Sequence, residues 1–171
     1  MYERKDLPRL AGRLAEPRRF LQVLAGPRQV GEPTVSQQVA RILEFPSHFA
    51  TADEAGIKGP GWLAAEWGIA RDQATANEGR GGALLILDEA QKIPGWSETV
   101  KRLWDEDTRT QVPLRVLLLG SAPLLVQAGL SESLAGRFEL MPVAHWSYGE
   151  MRDEFGWTLD QYLFFGGYPG A

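Results

Sequence analysis

The chain has 171 residues, of which 44% are hydrophobic and 23% are charged, so its composition is that of one globular domain rather than of a disordered segment. Its formal net charge of −4 argues against a general affinity for nucleic acid, and the absence of cysteine excludes disulfides, thiolate metal sites and cysteine nucleophiles. No stretch reads as a membrane span or a secretion signal, so we expect a cytoplasmic protein without a membrane partner.

Basic residues are concentrated at the start of the chain. Seven of the 18 lysines and arginines fall within the first 28 positions, at Arg4, Lys5, Arg9, Arg13, Arg18, Arg19 and Arg28. Residues 1–17 are expected to form an N-terminal amphipathic helix that Pro8 interrupts and that ends near Pro17. Two interpretations of the charge stay open: a solvated helix face, or a basic docking surface of the kind that serves a nucleic-acid-associated module.

Short apolar runs alternate with helical patterns along the rest of the chain. Strands are predicted at 20–25, 48–51, 83–87, 114–119 and 138–143, and helices at 34–43, 62–77, 97–107, 123–128 and in two short stretches after 147. The runs at 83–87 and 114–119 are continuous rather than alternating, which is typical of strands buried on both faces. The pattern predicts an α/β domain in which a mainly parallel sheet lies between two layers of helices.

Two segments carry unusual composition. Asp105, Glu106 and Asp107 form a run of acidic residues that we interpret as the solvated face of a helix end. Residues 147–171, by contrast, hold too many aromatic and aliphatic side chains for a solvated tail. We expect this tail either to pack back on the domain or to leave an apolar patch for docking, with dimers or aggregates as the result.

A strand, a turn and a helix frame a glycine pattern at positions 26–34. Its nine residues are Gly26, Pro27, Arg28, Gln29, Val30, Gly31, Glu32, Pro33 and Thr34. They follow the spacing G-x-x-x-x-G-K-[ST] of a phosphate-binding loop, with both glycines in place. Such glycines let backbone N–H groups point at phosphate oxygens above the positive end of a helix.

Two residues of this loop oppose nucleotide binding. Glu32 stands where a lysine would contact the β- and γ-phosphates, and Pro33 stands where a hydroxyl would hold Mg²⁺. A carboxylate about 4 Å from a phosphate charge costs roughly 4 kcal/mol at an effective dielectric constant of about 20, where a lysine would gain about as much. Pro33 also lacks an N–H, and Thr34 points about 100° away from the ligand position. Both substituted residues nevertheless suit the first turn of a helix.

The apolar strand at 83–87 ends in two carboxylates, Asp88 and Glu89. The carboxyl ends of strands are where α/β sheets bind ligands. In a P-loop enzyme the first carboxylate would hold Mg²⁺ through water, and the second would polarise the attacking water. The alternative is a strand that simply ends in a solvated acidic turn.

Five segments together resemble one large family. In order they are GPRQVG, WLAAEWGIAR, LLILDEAQKIPGW, LRVLLLGSAPLL and SLAGRFELMPVAHWSYGEM. They are similar to the bacterial and archaeal AAA-like P-loop ATPases that carry a C-terminal domain of unknown function. The resemblance implies a three-layer, RecA-like P-loop NTPase fold with strand order 5-1-4-3-2, ATP and Mg²⁺ as cofactors, and homo-oligomers.

The resemblance also implies roles for particular residues. Positions 26–34 would contact the phosphates, Asp88 would be the Mg²⁺ ligand, and Glu89 would act on the attacking water. Ser121 matches a polar sensor of the γ-phosphate, with a helix N-cap before Pro123 as the alternative. Arg137 resembles an arginine finger that acts on a neighbouring subunit, with a structural ion pair to the acidic strand end as the alternative. Gln91 and Trp96 would shape the turn and the core.

Domain limits and function follow from the same resemblance. We expect an N-terminal helix at 1–17, a P-loop AAA-type domain at 18–146, and a helical tail at 147–171 that leads to a missing C-terminal domain. Three functions stay open: an ATPase domain weakened by its phosphate loop, a pseudo-ATPase that serves as a binding or scaffold module, and a nucleic-acid-associated module. Weak or absent ATP binding is expected in each case because of the substituted loop.

Overall fold

The computed structural model describes residues 7–27, 32–53, 59–121, 130 and 133–168, with the backbone alone described at 32–34. Within these ranges the helices are α1 Leu7–Ala15, α2 Glu32–Ile42, α3 Pro60–Ala76, α4 Trp96–Thr110, α5 Tyr148–Phe155 and α6 Leu159–Phe165. The strands are β1 Leu21–Ala25, β2 Ser47–Thr51, β3 Ala83–Asp88, β4 Leu114–Gly120 and β5 Phe138–Pro142. Single 3-10 turns occupy Glu78–Arg80 and Ala90–Lys92. The helix expected at 123–128 lies outside the described residues.

The five strands form one sheet in the order β2-β3-β4-β1-β5, and every neighbouring pair is parallel. This is the predicted order 5-1-4-3-2 counted from the opposite edge, so the α/β prediction is confirmed. β1 is buried along its whole length, and β3 and β4 are buried at almost every position. Continuous burial on both faces explains why these strands appear in the sequence as unbroken apolar runs.

Two hydrophobic clusters cover the two faces of the sheet. Side chains along β4 alternate between them: Val116 and Leu118 belong to the cluster under α3 and α4, whereas Leu117 belongs to the cluster under α1 and α2. Trp67 of α3 is fully buried in the first cluster, and Leu10 of α1 is fully buried in the second. The N-terminal helix therefore closes one face of the sheet.

The described part of helix α1 runs from Leu7 to Ala15 and includes Pro8. The expected interruption at Pro8 concerns residues that lie partly outside the described ranges. In the part of the chain that the structure describes, no helix combines the length and hydropathy needed to cross a bilayer.

Two of the N-terminal arginines form contacts with other parts of the domain. Arg13 pairs with Glu139 of β5 at 2.7 Å and with Glu16 at 2.9 Å. The guanidinium of Arg18 lies 3.5 Å from the ring centre of Trp104 and donates to the Trp104 and Leu114 carbonyls, each at 2.9 Å. Burial lowers the pKa of Arg18 to about 10. Neither the solvated-face nor the docking interpretation anticipated these internal contacts.

Asp107 corrects the interpretation of the acidic run on α4. Its side chain is fully buried, accepts a hydrogen bond of 2.7 Å from Nε1 of Trp67, and pairs at 2.7 Å with Nε of Arg71. The solvated-face interpretation is therefore wrong at this position. The physical reason is helical phase, since residue 107 lies one turn after Leu103 and Trp104 and shares their inward face.

Two aspartates of α4 should show opposite pH dependence. Burial raises the pKa of Asp107, so its contribution to stability is present at low pH and is lost as the pH rises through its folded pKa. The hydrogen bond from Arg137 lowers the pKa of Asp105, so its contribution is present above the unfolded value of about 3.9 and is lost as the pH falls. Relative to the unmodified chain, Asp107→Asn should gain stability as the pH rises above about 4, and Asp105→Asn should gain it as the pH falls below about 4.

Urea unfolding at intervals between pH 3 and 7 measures both differences, and each variant serves as the control for the other. The Asp105 effect should be the smaller one, because that ion pair is partly exposed and therefore screened by water. The burial of Asp107 would be contradicted if, for both variants, the difference in unfolding free energy from the unmodified chain changed with pH in the same direction.

Candidate functional site

The carboxyl ends of three adjacent strands form the centre of the candidate site. β3, β4 and β1 are neighbours in the sheet, with Asp88 beside Leu119 and Ala25 beside Gly120. Backbone bonds continue this alignment past the strands, since Glu89 donates to the Leu119 carbonyl at 3.0 Å. The acidic pair, the start of the glycine loop and the turn after β4 therefore meet at one edge of the sheet.

Gly26 opens the glycine loop directly after β1. Its N–H donates to the Gly120 carbonyl at 3.4 Å, so the loop leaves the sheet beside the turn that holds Ser121. Arg28, Gln29, Val30 and Gly31 lie outside the described residues. The described part of helix α2 runs from Glu32 to Ile42, so Glu32, Pro33 and Thr34 are helical although the helix was predicted only from residue 34. A strand thus ends just before the glycine pattern, and a helix includes its last three positions.

Asp88 is half-buried at the end of β3. The hydroxyl of Thr51, on the adjacent strand β2, donates to its Oδ2 at 3.0 Å. Burial raises the pKa of Asp88, and the nearby carboxylates of Glu89 and Asp53 raise it further. The site is consequently rich in negative charge before any ligand is considered. Sequence reasoning did not identify Thr51, although its place at the end of a strand marks it as a candidate.

Glu89 is held in an unusual conformation. Its φ is 57°, in the left-handed region, and the residue is 8% exposed. One carboxylate oxygen accepts the Ser121 N–H at 3.2 Å, and the other accepts the Gln91 amide at 2.7 Å. Such a backbone conformation costs on the order of 1–3 kcal/mol in a non-glycine residue and persists only where neighbouring contacts enforce it. Ser121 thus meets Glu89 through its backbone N–H.

Lys92 is a further member of the site that the sequence analysis did not select. Its ammonium lies 3.7 Å from Oε2 of Glu89 and also contacts the carboxylate of Asp53. It belongs, with Gln91, to the 3-10 turn that follows the acidic pair. The spacing of three residues from Glu89 is the signal that could have identified it, because one helical turn brings such side chains together. Trp96, by contrast, lies in the core as expected.

Arg137 lies at the opposite edge of the sheet from the acidic pair. It immediately precedes β5, whose parallel pairing with β1 places its amino end away from Gly26. Its guanidinium forms two hydrogen bonds to Asp105 of α4, at 2.7 and 3.0 Å. The expectation of an ion pair with the acidic strand end is therefore wrong in its partner. Within one subunit this arginine is remote from the glycine loop.

The site has an acidic half, at the carboxyl end of β3, and a loop half, at positions 26–34. Asp88 and Thr51 offer the oxygen atoms that Mg²⁺ prefers, and this metal commonly keeps waters and substrate phosphates as its other ligands. Among the described residues no group of three or more acidic or histidine side chains could hold a metal by itself. In the loop half, positions 32 and 33 hold a glutamate and a proline where the phosphate-loop pattern has a lysine and a serine or threonine. The described residues at this edge of the sheet bring carboxylates and backbone N–H groups together.

Comparison with known proteins agrees with this frame. A family model described as an AAA domain matches residues 18–152. The uncharacterized proteins Rv2008c of Mycobacterium tuberculosis and Mb2031c of Mycobacterium bovis are each 33% identical over 147 residues, which is 86% of this chain. The same match covers 29% of each relative, so the chain spans less than a third of the length of these curated relatives.

Solved structures share the fold at lower identity. The Thermotoga maritima RuvB Holliday junction branch migration motor superposes with a TM-score of 0.60 and 18% identity, covering 88% of this chain and 48% of that one. The Aeropyrum pernix Orc1 protein, solved in complex with DNA, superposes with a TM-score of 0.64 and 17% identity, covering 88% of this chain and 47% of that one. At these identities the likeness concerns the fold alone.

Contacts around Glu89 predict unequal costs for its two neighbours. Replacing Gln91 by Leu removes the 2.7 Å donor from a buried carboxylate, which should cost about 1–3 kcal/mol. Replacing Lys92 by Met should cost no more than about 1 kcal/mol, because its ammonium is partly exposed and its ion pairs are screened. Urea unfolding of the two variants at pH 7 measures both values. A larger loss for Lys92→Met would show that the ammonium, and not the amide, holds Glu89.

Proposed function

This chain belongs to the AAA domain family, and we propose that within that family it is a P-loop ATPase-type domain whose own loop binds Mg·ATP weakly and hydrolyses it negligibly. One observation carries the proposal. Glu32 and Pro33 lie in α2, at the positions where the phosphate-loop pattern has a lysine and a hydroxyl residue, while the acidic half of the site is assembled at the carboxyl end of β3. We place the defect at these two positions.

Electrostatics supports weak binding. The carboxylates of Glu89 and Asp53 already lie close enough to Asp88 to raise its pKa. Lys92 forms ion pairs with both Glu89 and Asp53. Glu32 adds a fourth carboxylate at the loop position where a lysine would offset phosphate charge. Replacing attraction by repulsion at about 4 Å changes the binding free energy by several kcal/mol even after allowance for screening.

Helix formation explains how the chain tolerates these residues. A carboxylate in the first turn is favoured by the helix dipole, and proline there loses no intrahelical hydrogen bond. α2 accordingly keeps its length and its buried residues Val35 and Val39. On this proposal the substituted loop is compatible with the fold and unsuited to nucleotide. A pseudo-ATPase scaffold would have the same two properties.

Among the described residues, no feature specifically favours a nucleic-acid role. RuvB is a Holliday junction branch migration motor and Orc1 was solved in complex with DNA, but both share only the fold with this domain. The basic N-terminal region was the sequence feature that suggested such a role. Two of its arginines, Arg13 and Arg18, are engaged by Glu139, Glu16 and the Trp104 ring. We therefore propose the weakened ATPase domain alone.

Restoring the loop should restore nucleotide affinity. In calorimetric titrations with Mg·ATP, the variant Glu32→Lys, Pro33→Thr should bind at least about a hundredfold more tightly than the unmodified chain, a difference of about 2.7 kcal/mol. The reason is the return of the phosphate cation and of the Mg²⁺ hydroxyl to a frame in which Asp88 and Glu89 are in place. The measured quantity is the dissociation constant, with phosphate release as a second readout.

The matched control is Glu78→Lys, which makes the same change of charge at an exposed position on the amino side of β3. It should leave the affinity within about twofold, because a surface charge far from the loop is screened. Low-micromolar binding by the unmodified chain would contradict the proposal. Failure of the restored variant to bind would place the defect outside Glu32 and Pro33.

A further inference from the structure

Four arginines line one depression at the amino edge of the sheet, where the strands begin. Arg13 lies near the end of α1, Arg18 and Arg19 lie between α1 and β1, and Arg115 is the second residue of β4. We refer to these four residues as the arginine cluster. The glycine loop and the acidic pair lie at the opposite, carboxyl edge, so the cluster is separate from the candidate nucleotide site.

Three members of the arginine cluster have no carboxylate partner. Arg13 forms ion pairs with two glutamates, at 2.7 and 2.9 Å. Among the residues that the structure describes, no carboxylate forms an ion pair with Arg18, Arg19 or Arg115. The depression therefore carries an excess of positive charge, although the chain as a whole has a net charge of −4.

Two of these unpaired cations are partly buried. Burial lowers the pKa of Arg18 to about 10, although Asp107 and Asp105 oppose this shift at longer range, and burial also lowers the pKa of Arg115. A guanidinium that is taken out of water without a counter-ion costs free energy. An anion in the depression would offset that cost.

Contacts with the protein fix these guanidiniums and still leave donors free. Arg18 donates three hydrogen bonds and Arg115 donates two, and four of these five reach backbone carbonyls. A guanidinium has five N–H groups, so both arginines keep N–H groups for a further acceptor. Arg19 is exposed, and none of the described residues accepts a hydrogen bond from it. Guanidinium groups held in this way suit oxyanions, which they bind through paired, charge-assisted hydrogen bonds.

A buried acceptor in the same depression also lacks a partner. Gln22 lines the depression and is 4% exposed. Its Nε2 donates to Glu139 at 3.2 Å, whereas its Oε1 is buried and accepts from none of the described residues. Buried polar atoms are almost always hydrogen-bonded, so a donor is expected beside this oxygen. The hydroxyl of a protonated phosphate, or a water molecule bound with the anion, would supply that donor.

We propose that the arginine cluster binds a phosphate group, either as the free ion or as a small monoester. The enclosed part of the depression has a volume of about 10 Å³, which admits one water-sized group such as a phosphate oxygen, and the rest is open to solvent. A phosphate monoester carries about −1.5 to −2 charges and three acceptor oxygens at neutral pH. Three guanidiniums without a counter-ion match this group better than they match a carboxylate, which has one charge and two oxygens.

A nucleic-acid backbone is a poorer match for the same cluster. Backbone binding uses a positively charged groove that follows many successive phosphates. The four arginines line a single depression, and Arg13 is already neutralised by its glutamates. The inference is independent of the proposed function, because the cluster shares no residue with the glycine loop or the acidic pair.

Titration with inorganic phosphate near neutral pH and at constant ionic strength tests the proposal. The Nε–Hε resonances of arginine side chains in ¹H–¹⁵N NMR spectra report the contact directly. Those of Arg18, Arg19 and Arg115 should shift and saturate below about 10 mM phosphate, whereas that of Arg152 on α5 should not. Acetate at the same ionic strength should bind at least about tenfold more weakly, because it offers less charge and fewer oxygens.

Substitution of Arg19 is the sharpest variant, because this side chain forms no ion pair or hydrogen bond with the described residues. Arg19→Gln should raise the dissociation constant for phosphate at least about fivefold, and Arg19→Lys should restore part of the loss because it keeps the charge without the planar fork. Arg115→Met should raise the constant at least about tenfold, since it removes a partly buried cation. The control Arg152→Gln makes the same change of charge on the exposed side of α5 and should stay within about twofold.

Phosphoserine in place of inorganic phosphate distinguishes the two sources of the group. Equal or tighter binding of phosphoserine would identify a monoester site, and binding at least about tenfold weaker would identify a site for the free ion. Circular dichroism of each variant checks that the helices are retained. If Arg115→Met loses structure, Arg19→Gln still decides the question.

Three results would overturn the proposal. The first is the absence of saturable arginine shifts up to about 50 mM phosphate. The second is saturable phosphate binding that shifts only the amides of residues 26–34 or that is unchanged in Arg19→Gln and Arg115→Met, which would place the anion elsewhere. The third is binding of a short DNA duplex, with an affinity that falls steeply with salt, by a chain that does not bind phosphate itself. That result would identify the cluster as a nucleic-acid contact.

Discussion

The parallel register of three strands buried on both faces governs the rest of this structure. β3, β4 and β1 have no solvated face and run parallel under helices, so their carboxyl ends meet at one edge. Asp88 is the last residue of β3, and Gly26 and Ser121 directly follow β1 and β4. Their proximity is a consequence of burying aliphatic strands, and it needs no ligand.

This constraint separates the frame of the site from its chemistry. Burial of the strands and the start of α2 stabilise the frame, and both are compatible with a glutamate and a proline in the first helical turn. Phosphate binding makes a different demand on the same positions, namely a cation and a hydroxyl. The frame can therefore persist whether or not the loop meets that demand.

Much of the fold could be predicted from the sequence, because buried strands and helical periodicity leave strong patterns. The site was predictable only in part. Asp107 looked like a surface residue, since an acidic run at a helix end gives no sign that one member faces inward and meets Trp67. Thr51 and Lys92 were missed because their roles come from strand register and from the turn after β3. The partner of Arg137 was wrong because Asp105 lies 32 residues away in the chain and reaches it only through tertiary packing.

The most direct measurement follows the loop amides themselves. In two-dimensional ¹H–¹⁵N NMR spectra, the amide resonances of residues 26–34 other than the two prolines should hardly move when Mg·ATP is added to the unmodified chain up to about 1 mM, where a ligand bound a hundredfold more tightly would saturate its site. The same titration of Glu32→Lys, Pro33→Thr should shift these amides until they saturate. Saturable shifts confined to the loop of the unmodified chain at micromolar Mg·ATP would show that Glu32 and Pro33 do not prevent nucleotide binding.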